Sequence, residues 1–300
     1  MPTPEQSQLK EQVRDFWNQQ SCDTHAASSE KFSKNYFEEI ESYRYRDQAI
    51  IHAFAQFTRY FGKSVLEVGF GAGTDFIQWL RAGARASGID LTQEGLDNLT
   101  HRIQVYGLPA PESIRVADAE NLPFDSGSFD LGYSFGVLHH SPDTPKAVGE
   151  LVRVIRPGGE LKIMLYNRRS ICAINAWVRH ALLRGQPWKS VKWALWHHVE
   201  SVGTKAYTRA ELIEMLAPMG LKSIHIHTEM TSADYLASSA FPPLNWLYKL
   251  CLRLAGYHPV WKLADFHPEQ RRSEDPAGDS LEITGNPLGW FHCISARKAE

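Results

Sequence analysis

The chain is expected to fold as an α/β protein, a parallel sheet wound with helices on both faces. Two observations predict this. Short apolar runs that read as buried strands alternate with segments whose apolar residues recur at helical spacing. The first of these runs, around Glu67, passes directly into a glycine turn and a helix start, as a buried parallel strand does before its crossover helix. Three hundred residues, 43% hydrophobic and 22% charged, suffice for one large domain, or a domain with insertions, around a sizeable core.

Each element has a local reason. Residues 1–60 precede the first strand, and within them 9–18 can form a helix with Val13, Phe16 and Trp17 as its apolar stripe. A polar stretch leads to residues 32–46, dense in aromatic and charged side chains. Residues 65–75 read Val-Leu-Glu-Val-Gly-Phe-Gly-Ala-Gly-Thr-Asp. Gly69, Gly71 and Gly73 let the backbone turn sharply and keep a Cβ out of a ligand's way. Thr74 then caps a helix bearing Phe76, Ile77 and Leu80. A second strand ends at Asp90, and Thr92 opens a helix with Leu96, Leu99 and Ile103 on one face. Thr144-Pro145 places an N-cap before a proline at the first helical position, followed by Val148, Leu151, Val152 and Ile155. A strand is expected over 160–166. Residues 169–207 carry Trp177, Val178, Ala181 and Leu182 on one apolar helix face, and Trp188, Trp193 and Trp196 on a second. Thr208 and Glu211 form a capping box for a helix that ends at Gly220, before a strand over 222–227. A further addition spans about 230–285, with an amphipathic helix after Pro242-Pro243 and a surface loop at 275–280. Residues 289–297 read as a closing strand.

A strand, a glycine turn and a helix N-terminus in series make a nucleotide or nucleoside site. The dinucleotide fingerprint fails, because Thr74 stands where its third glycine belongs. What stands instead, Glu-x-Gly-x-Gly-x-Gly from Glu67, resembles the first motif of class I S-adenosyl-L-methionine (SAM)-dependent methyltransferases. Three further segments follow in that family's order: 86–91 with Asp90, 116–124 with Asp118 and Ala119, and 128–140 with Leu-His139-His140, which leads through Arg-Pro-Gly-Gly into the fifth strand. Together they cover 60–167, and the chain is similar in particular to the ubiquinone/menaquinone-biosynthesis-type (methyltransferase type 11) group.

The resemblance implies a doubly wound, mostly parallel, seven-stranded Rossmann-like sheet with an antiparallel last strand and helical lid insertions. It also implies an organisation: a helical lid at 1–60, a SAM-binding core at 61–168, a substrate cap at 169–207, and the second half of the core at 208–300. For SAM the implied contacts are Glu67, Gly69, Gly71, Gly73, Asp90, Leu91, Asp118, Ala119, Ser134 and Gly136. Asp90 is placed to accept both ribose hydroxyls. The N-terminal Tyr36, Tyr43, Arg44 and Tyr45, with Tyr207, are candidates for the methionine carboxylate or the substrate lid. Packing and surface roles compete for each of them.

The implied chemistry is transfer of a methyl group to an O, S, N or C atom of a small molecule, by positioning and exclusion of water, with a general base where the acceptor is a hydroxyl or an acidic carbon. His139 and His140 lead as bases, with Tyr133 behind them. The same segment serves equally to shape the loop, and sequence does not separate the two histidines. His197-His198 with Glu200, and His225-x-His227, have spacings that suggest metal binding, but neither supplies a convincing third ligand, so no metal is expected. An aromatic-rich acceptor pocket fits an apolar or aromatic compound. An NAD(P)-dependent oxidoreductase, or a SAM-binding module without turnover, remains the alternative.

Net charge of −2 gives no general attraction for nucleic acid. Four widely spaced cysteines read as reduced thiols. With no signal-peptide pattern and no apolar run of about 18 residues, a cytoplasmic protein is expected. A basic, Trp-bearing helix in 169–207 can also lie on a membrane surface, but its apolar faces are short and interrupted, which favours the cap.

Overall fold

The computed structural model describes residues 3–234 and 280–300. Strand and helix alternate in order, starting with β1 (Ser64–Val68), α4 (Phe76–Arg81), β2 (Arg85–Asp90), α5 (Gln93–Val105) and β3 (Ser113–Val116). Next come β4 (Phe129–Phe135), α6 (Thr144–Val154), β5 (Ile155–Tyr166), α7 (Ile171–His180) and α8 (Val191–His198). The chain closes with α9 (Arg209–Leu216), β6 (Leu221–Glu229), β7 (Leu281–Gly285) and β8 (Phe291–Lys298). Before β1 stand α1 (Pro4–Gln19), α2 (Lys34–Asp47) and α3 (Ile50–Ala55).

The strands form one mixed sheet in the order β3-β2-β1-β4-β5-β8-β6-β7. β8 runs antiparallel between β5 and β6, and the other pairings are parallel. The described residues thus hold eight strands, one more than the seven expected. The extra one is β7, which adds to the free edge of β6. Its five residues fall at the end of the segment read as an insertion, and they are too few and too exposed to show a strand period. The amphipathic helix and nearly all of the surface loop expected there lie outside the described residues.

Both faces of the sheet are covered. One core layer gathers Phe76, Trp79, Leu99, Leu131 and Tyr133; the other gathers Leu66, Ile89, Val148, Leu151 and Ile163. Each such side chain contributes about 1.5–3 kcal/mol of apolar burial. Capping explains most helix starts. Thr3 and Thr208 close capping boxes with Gln6 and Glu211, and Ser33 and Thr92 accept from backbone amides three residues on. At α6 the cap is Asp143, one residue earlier than the Thr144 expected, because its carboxylate reaches the Lys146 amide at 3.0 Å. Lys162, on the central strand β5, is buried and donates to the carbonyls of Phe54 and Ala55 at the end of α3 (2.8 and 3.1 Å), fastening the N-terminal segment to the sheet. No described helix is long and apolar enough to cross a membrane.

The order of strands reverses between β1 and β4, where β1 leads outward to β2 and β4 leads the other way to β5. In doubly wound sheets a crevice opens there, outside the carboxyl ends of the strands.

Candidate functional site

A cavity of about 980 Å³ lies at that reversal. Its floor is the turn after β1. Gly69, Gly71 and Gly73 all have positive φ (80, 51 and 74°), but they do different work. A Cβ at Gly69 would collide with both Cγ atoms of Val137, and one at Gly73 would stand 2.7 Å from Leu99 Cδ1. At Gly71 the nearest atom is Cys22 Cβ, at 3.7 Å. Two glycines therefore permit close packing, while Gly71 presents bare backbone to the cavity.

Asp90 ends β2 at the cavity wall. Its Oδ2 accepts from Gly71 N (2.8 Å) and its Oδ1 from Thr92 N and Oγ1 (2.9 and 2.7 Å). Burial pushes its carboxyl above the usual range, against these hydrogen bonds. A carboxylate has about four acceptor positions, so capacity remains for a ligand's hydroxyls. Leu91, Asp118, Ala119 and Gly136 also line the cavity. Lys10, from α1, closes over this side with its Nζ 2.6 Å from Asp118 Oδ2 and 2.8 Å from Glu120 Oε2.

Arg44 crosses the opposite wall. Its guanidinium forms a two-pronged pair with Asp75 (2.9 and 2.7 Å) and a third bond to Asp23 (3.0 Å). Those two acids raise its pKa well above an already high value, against desolvation. Tyr36, bonded to Asn98 Oδ1 at 3.0 Å, and Tyr43 also line the cavity from the N-terminal segment.

The two histidines separate clearly. His139 is fully buried, outside the cavity lining, with its ring packed on Tyr166 at 3.8 Å and neither nitrogen hydrogen-bonded. Desolvation holds its pKa well below the ordinary histidine value, so it is neutral. His140 lines the cavity. Its Nδ1 meets the hydroxyls of Ser201 and Thr204 (3.0 and 3.1 Å), and its Nε2 lies 3.1 Å from Glu200 Oε2. Glu200 accepts from Tyr166 Oη at 2.9 Å and has a φ of 55°, a strained conformation for a non-glycine residue. His139, His140 and Glu200 bring one ligand atom each within 4.8 Å of one another. A single ion about 2.1 Å from each ligand spans no pair wider than about 4.2 Å, so this is a looser group than a formed metal centre.

Several expected site residues stand away from the cavity lining. Glu67 faces the core beneath the turn and accepts from Trp79 Nε1 at 2.7 Å; burial and the neighbouring Asp75 push its carboxyl well up. Gly73 packs on α5. Tyr133 is buried and donates to Asp75 Oδ2 (3.1 Å), and Ser134 donates to Val68 O (2.8 Å). As consecutive residues of β4 they point to opposite faces of the sheet, and both are fully buried and outside the cavity lining. Tyr45 donates to Thr74 O at 3.1 Å behind the Arg44–Asp75 pair, and Tyr207 packs with the core under α9. The residues sequence did not single out are Lys10, Asp23, Asp75, Trp290 and Phe291. Glu200, read in the sequence beside His197-His198, meets His140 instead; it is the first acid after Glu160, ending an acid-free stretch. His225 Nε2 and His227 Nδ1 share Thr284 Oγ1 (2.8 and 2.9 Å).

Residues 66–163, from the middle of β1 to the last third of β5, match the family model described as a methyltransferase domain. This stretch is similar to that domain. Over 102 residues the chain is 41% identical to the phthiotriol/phenolphthiotriol dimycocerosates methyltransferase of Mycobacterium leprae. That alignment takes in 33% of this chain and 36% of the relative, so the likeness spans little more than a third of the curated relative's length. The fold likeness runs further. The geranyl diphosphate C-methyltransferase of Streptomyces coelicolor, solved with Mg2+, geranyl diphosphate and S-adenosyl-L-homocysteine, aligns over 99% of this chain and 98% of its own, at 17% identity and a TM-score of 0.56. The [4+2]-cyclase SpnF aligns over 99% and 97%, with 17% identity and a TM-score of 0.51. The matched stretch thus lies within a fold that the chain shares with proteins named for different reactions.

Proposed function

We propose that the protein is a SAM-dependent methyltransferase that moves a methyl group to an O, S, N or C atom of a small molecule and releases S-adenosylhomocysteine. The observation that carries this reading is the bare backbone of Gly71, bonded to Asp90 and facing the cavity inside a matched methyltransferase domain. SAM, when bound, supplies a sulfonium methyl that is already electrophilic. Asp90 would hold the ribose hydroxyls, while Asp118 and the Ala119 amide would take the adenine edge. Arg44, paired with Asp23 and Asp75, would face the methionine end. The shape of the third-glycine position, filled by Thr74, weighs against a dinucleotide.

The acceptor side is built from Trp17, Phe135, Tyr166, Trp290 and Phe291, which suits an apolar or aromatic compound. His140 and Glu200, 3.1 Å apart on the cavity wall, form a pair that takes up a proton as the acceptor is methylated. That role favours a hydroxyl or acidic carbon over an acceptor already nucleophilic. In this reading 1–60 acts as the lid, 61–168 as the cofactor core and 169–207 as the cap that delivers Glu200, with 208–300 completing the core. The widely spaced cysteines fit a cytoplasmic enzyme.

Titration calorimetry tests the cofactor step directly. SAM and S-adenosylhomocysteine should both bind and raise the melting temperature, since a ligand held only by the native state stabilises it. Heat with NAD and none with either adenosyl compound at millimolar concentration would reverse the assignment. Turnover to S-adenosylhomocysteine with an aromatic alcohol then separates an enzyme from a binding module.

A further inference from the structure

The turn between α7 and α8 is unlike the rest of the surface. From residue 170 to residue 199 the chain has no acid, and it carries four cations, Arg179, Arg184, Lys189 and Lys192, in a protein of net charge −2. Within the same turn Leu182, Leu183 and Trp188 are 42, 62 and 74% exposed. Three large apolar side chains within seven residues of one turn form a patch rather than scattered surface residues.

The turn is held in shape. Trp177 Nε1 donates to Lys189 O (2.6 Å), Gln186 N to Ala181 O (2.9 Å) and Lys189 N to Gln186 O (3.0 Å). Gly185 takes the left-handed conformation at φ 69°, and the rings of His180 and His198 stack at 4.1 Å across the two helices. The buried faces, Ala173, Ala176 and Val178 of α7 with Ala194 and Leu195 of α8, turn inward. What projects is the tip, already ordered, so that docking it costs little conformational entropy.

We propose that this tip docks the protein on an anionic lipid bilayer, with Leu182, Leu183 and Trp188 entering the headgroup boundary and the four cations meeting the anionic headgroups. Charge complementarity and the apolar tip together select this occupant. Phosphate groups of a nucleic acid would use the cations but leave the two leucines in contact with nothing apolar. An interfacial Trp flanked by Lys and Arg is the combination that bilayers favour. Lys192 also lies 3.4 Å from Glu211, so Arg179, Arg184 and Lys189 carry most of the attraction. Because α8 joins the tip to Glu200 on the cavity wall, docking would hold the cap at the membrane, suiting an acceptor that partitions into lipid. The docking surface itself is independent of what the cavity binds.

Cosedimentation of the full chain at low ionic strength tests this, using phosphatidylcholine vesicles with and without phosphatidylglycerol. The wild type should pellet with the anionic vesicles and stay in solution with the zwitterionic ones. Arg184→Glu should weaken binding about fivefold or more, the loss expected for removing one cation near the surface. Leu183→Glu with Trp188→Glu should abolish pelleting while leaving the melting temperature and the heat of SAM binding unchanged, since both side chains are exposed. The proposal fails if the wild type ignores anionic vesicles, or if the tip variants pellet like the wild type. It fails also if duplex DNA competes for the protein equally well whether the two apolar residues are present or not. Loss of SAM binding with vesicle binding intact would instead count against the cofactor assignment alone.

Discussion

At the scale of single residues, direction matters more than type. His139 and His140 are neighbours in a short turn, yet one is sealed against Tyr166 and the other opens on the cavity. His140→Ala should therefore cut turnover about 10²-fold with little change in SAM affinity, as expected for removing half of a proton-accepting pair. His139→Leu should keep turnover within a few-fold and leave stability equal or higher, because it removes two buried nitrogens that have no partner. Steady-state rates and melting curves on the two variants check both statements. Asp90→Ala should weaken SAM binding far more than Asp143→Ala, since each charge-assisted hydrogen bond lost is worth about 1.5–3 kcal/mol. Asp143 only caps α6, and its removal should cost about 1 kcal/mol of stability instead. Calorimetry that gave the two variants equal affinity would place the ribose elsewhere. Sequence located the histidine pair but could not tell its members apart, because a one-residue difference in a turn rotates a side chain by an amount that no pattern records. Glu67, Tyr133 and Ser134 were similarly readable as neighbours of the site while their side chains point into the core.

Whole elements were more legible, for reasons that are themselves local. The glycine turn, the caps at Thr92 and Thr208 and the strand-helix alternation each depend on a few adjacent residues, so their spacing is written in the chain. β7 was not legible, since a five-residue edge strand acquires its identity only from the β6 partner it meets. Lys10 was missed for the same reason, and Glu200 was legible only beside His197-His198 and not as a partner of His140, since both reach the cavity through helices far away in sequence. The α9 capping box carries a prediction of its own. Arg168 and the Thr208 amide and hydroxyl hold the Glu211 carboxylate down to about 2. A carboxylate with a lowered native pKa adds stability that is present above its unfolded value, about 4.3, and disappears as pH falls through 2. Glu211→Gln should thus cost about 1 kcal/mol at neutral pH, after allowance for its partial exposure, and the gap from wild type should close between pH 4.5 and pH 2. Urea titrations across that range measure it.

For the molecule as a whole, acid is the weak side. Buried His292 sits at about 4 through desolvation, and His139 is also held well below its usual value. Each is neutral in the native state but takes up a proton near pH 6.5 when unfolded, so stability is complete above about 6.5 and falls with pH below it. His292 alone accounts for about 3 kcal/mol by pH 4. A melting temperature that stayed flat from pH 7 to pH 5 would show that these side chains are hydrated after all. The sheet reversal that opens the cavity has a separate outcome. Gly69 and Val137 interlock across it, one in the cofactor turn and the other three residues before His140. The two ends of the reaction are therefore set in series along one seam, like teeth of adjoining gears, with no compliant spacer between them. A methyl group added at Gly69 should reach the acceptor side by displacing Val137, and a paired Val137→Ala should restore part of the lost rate.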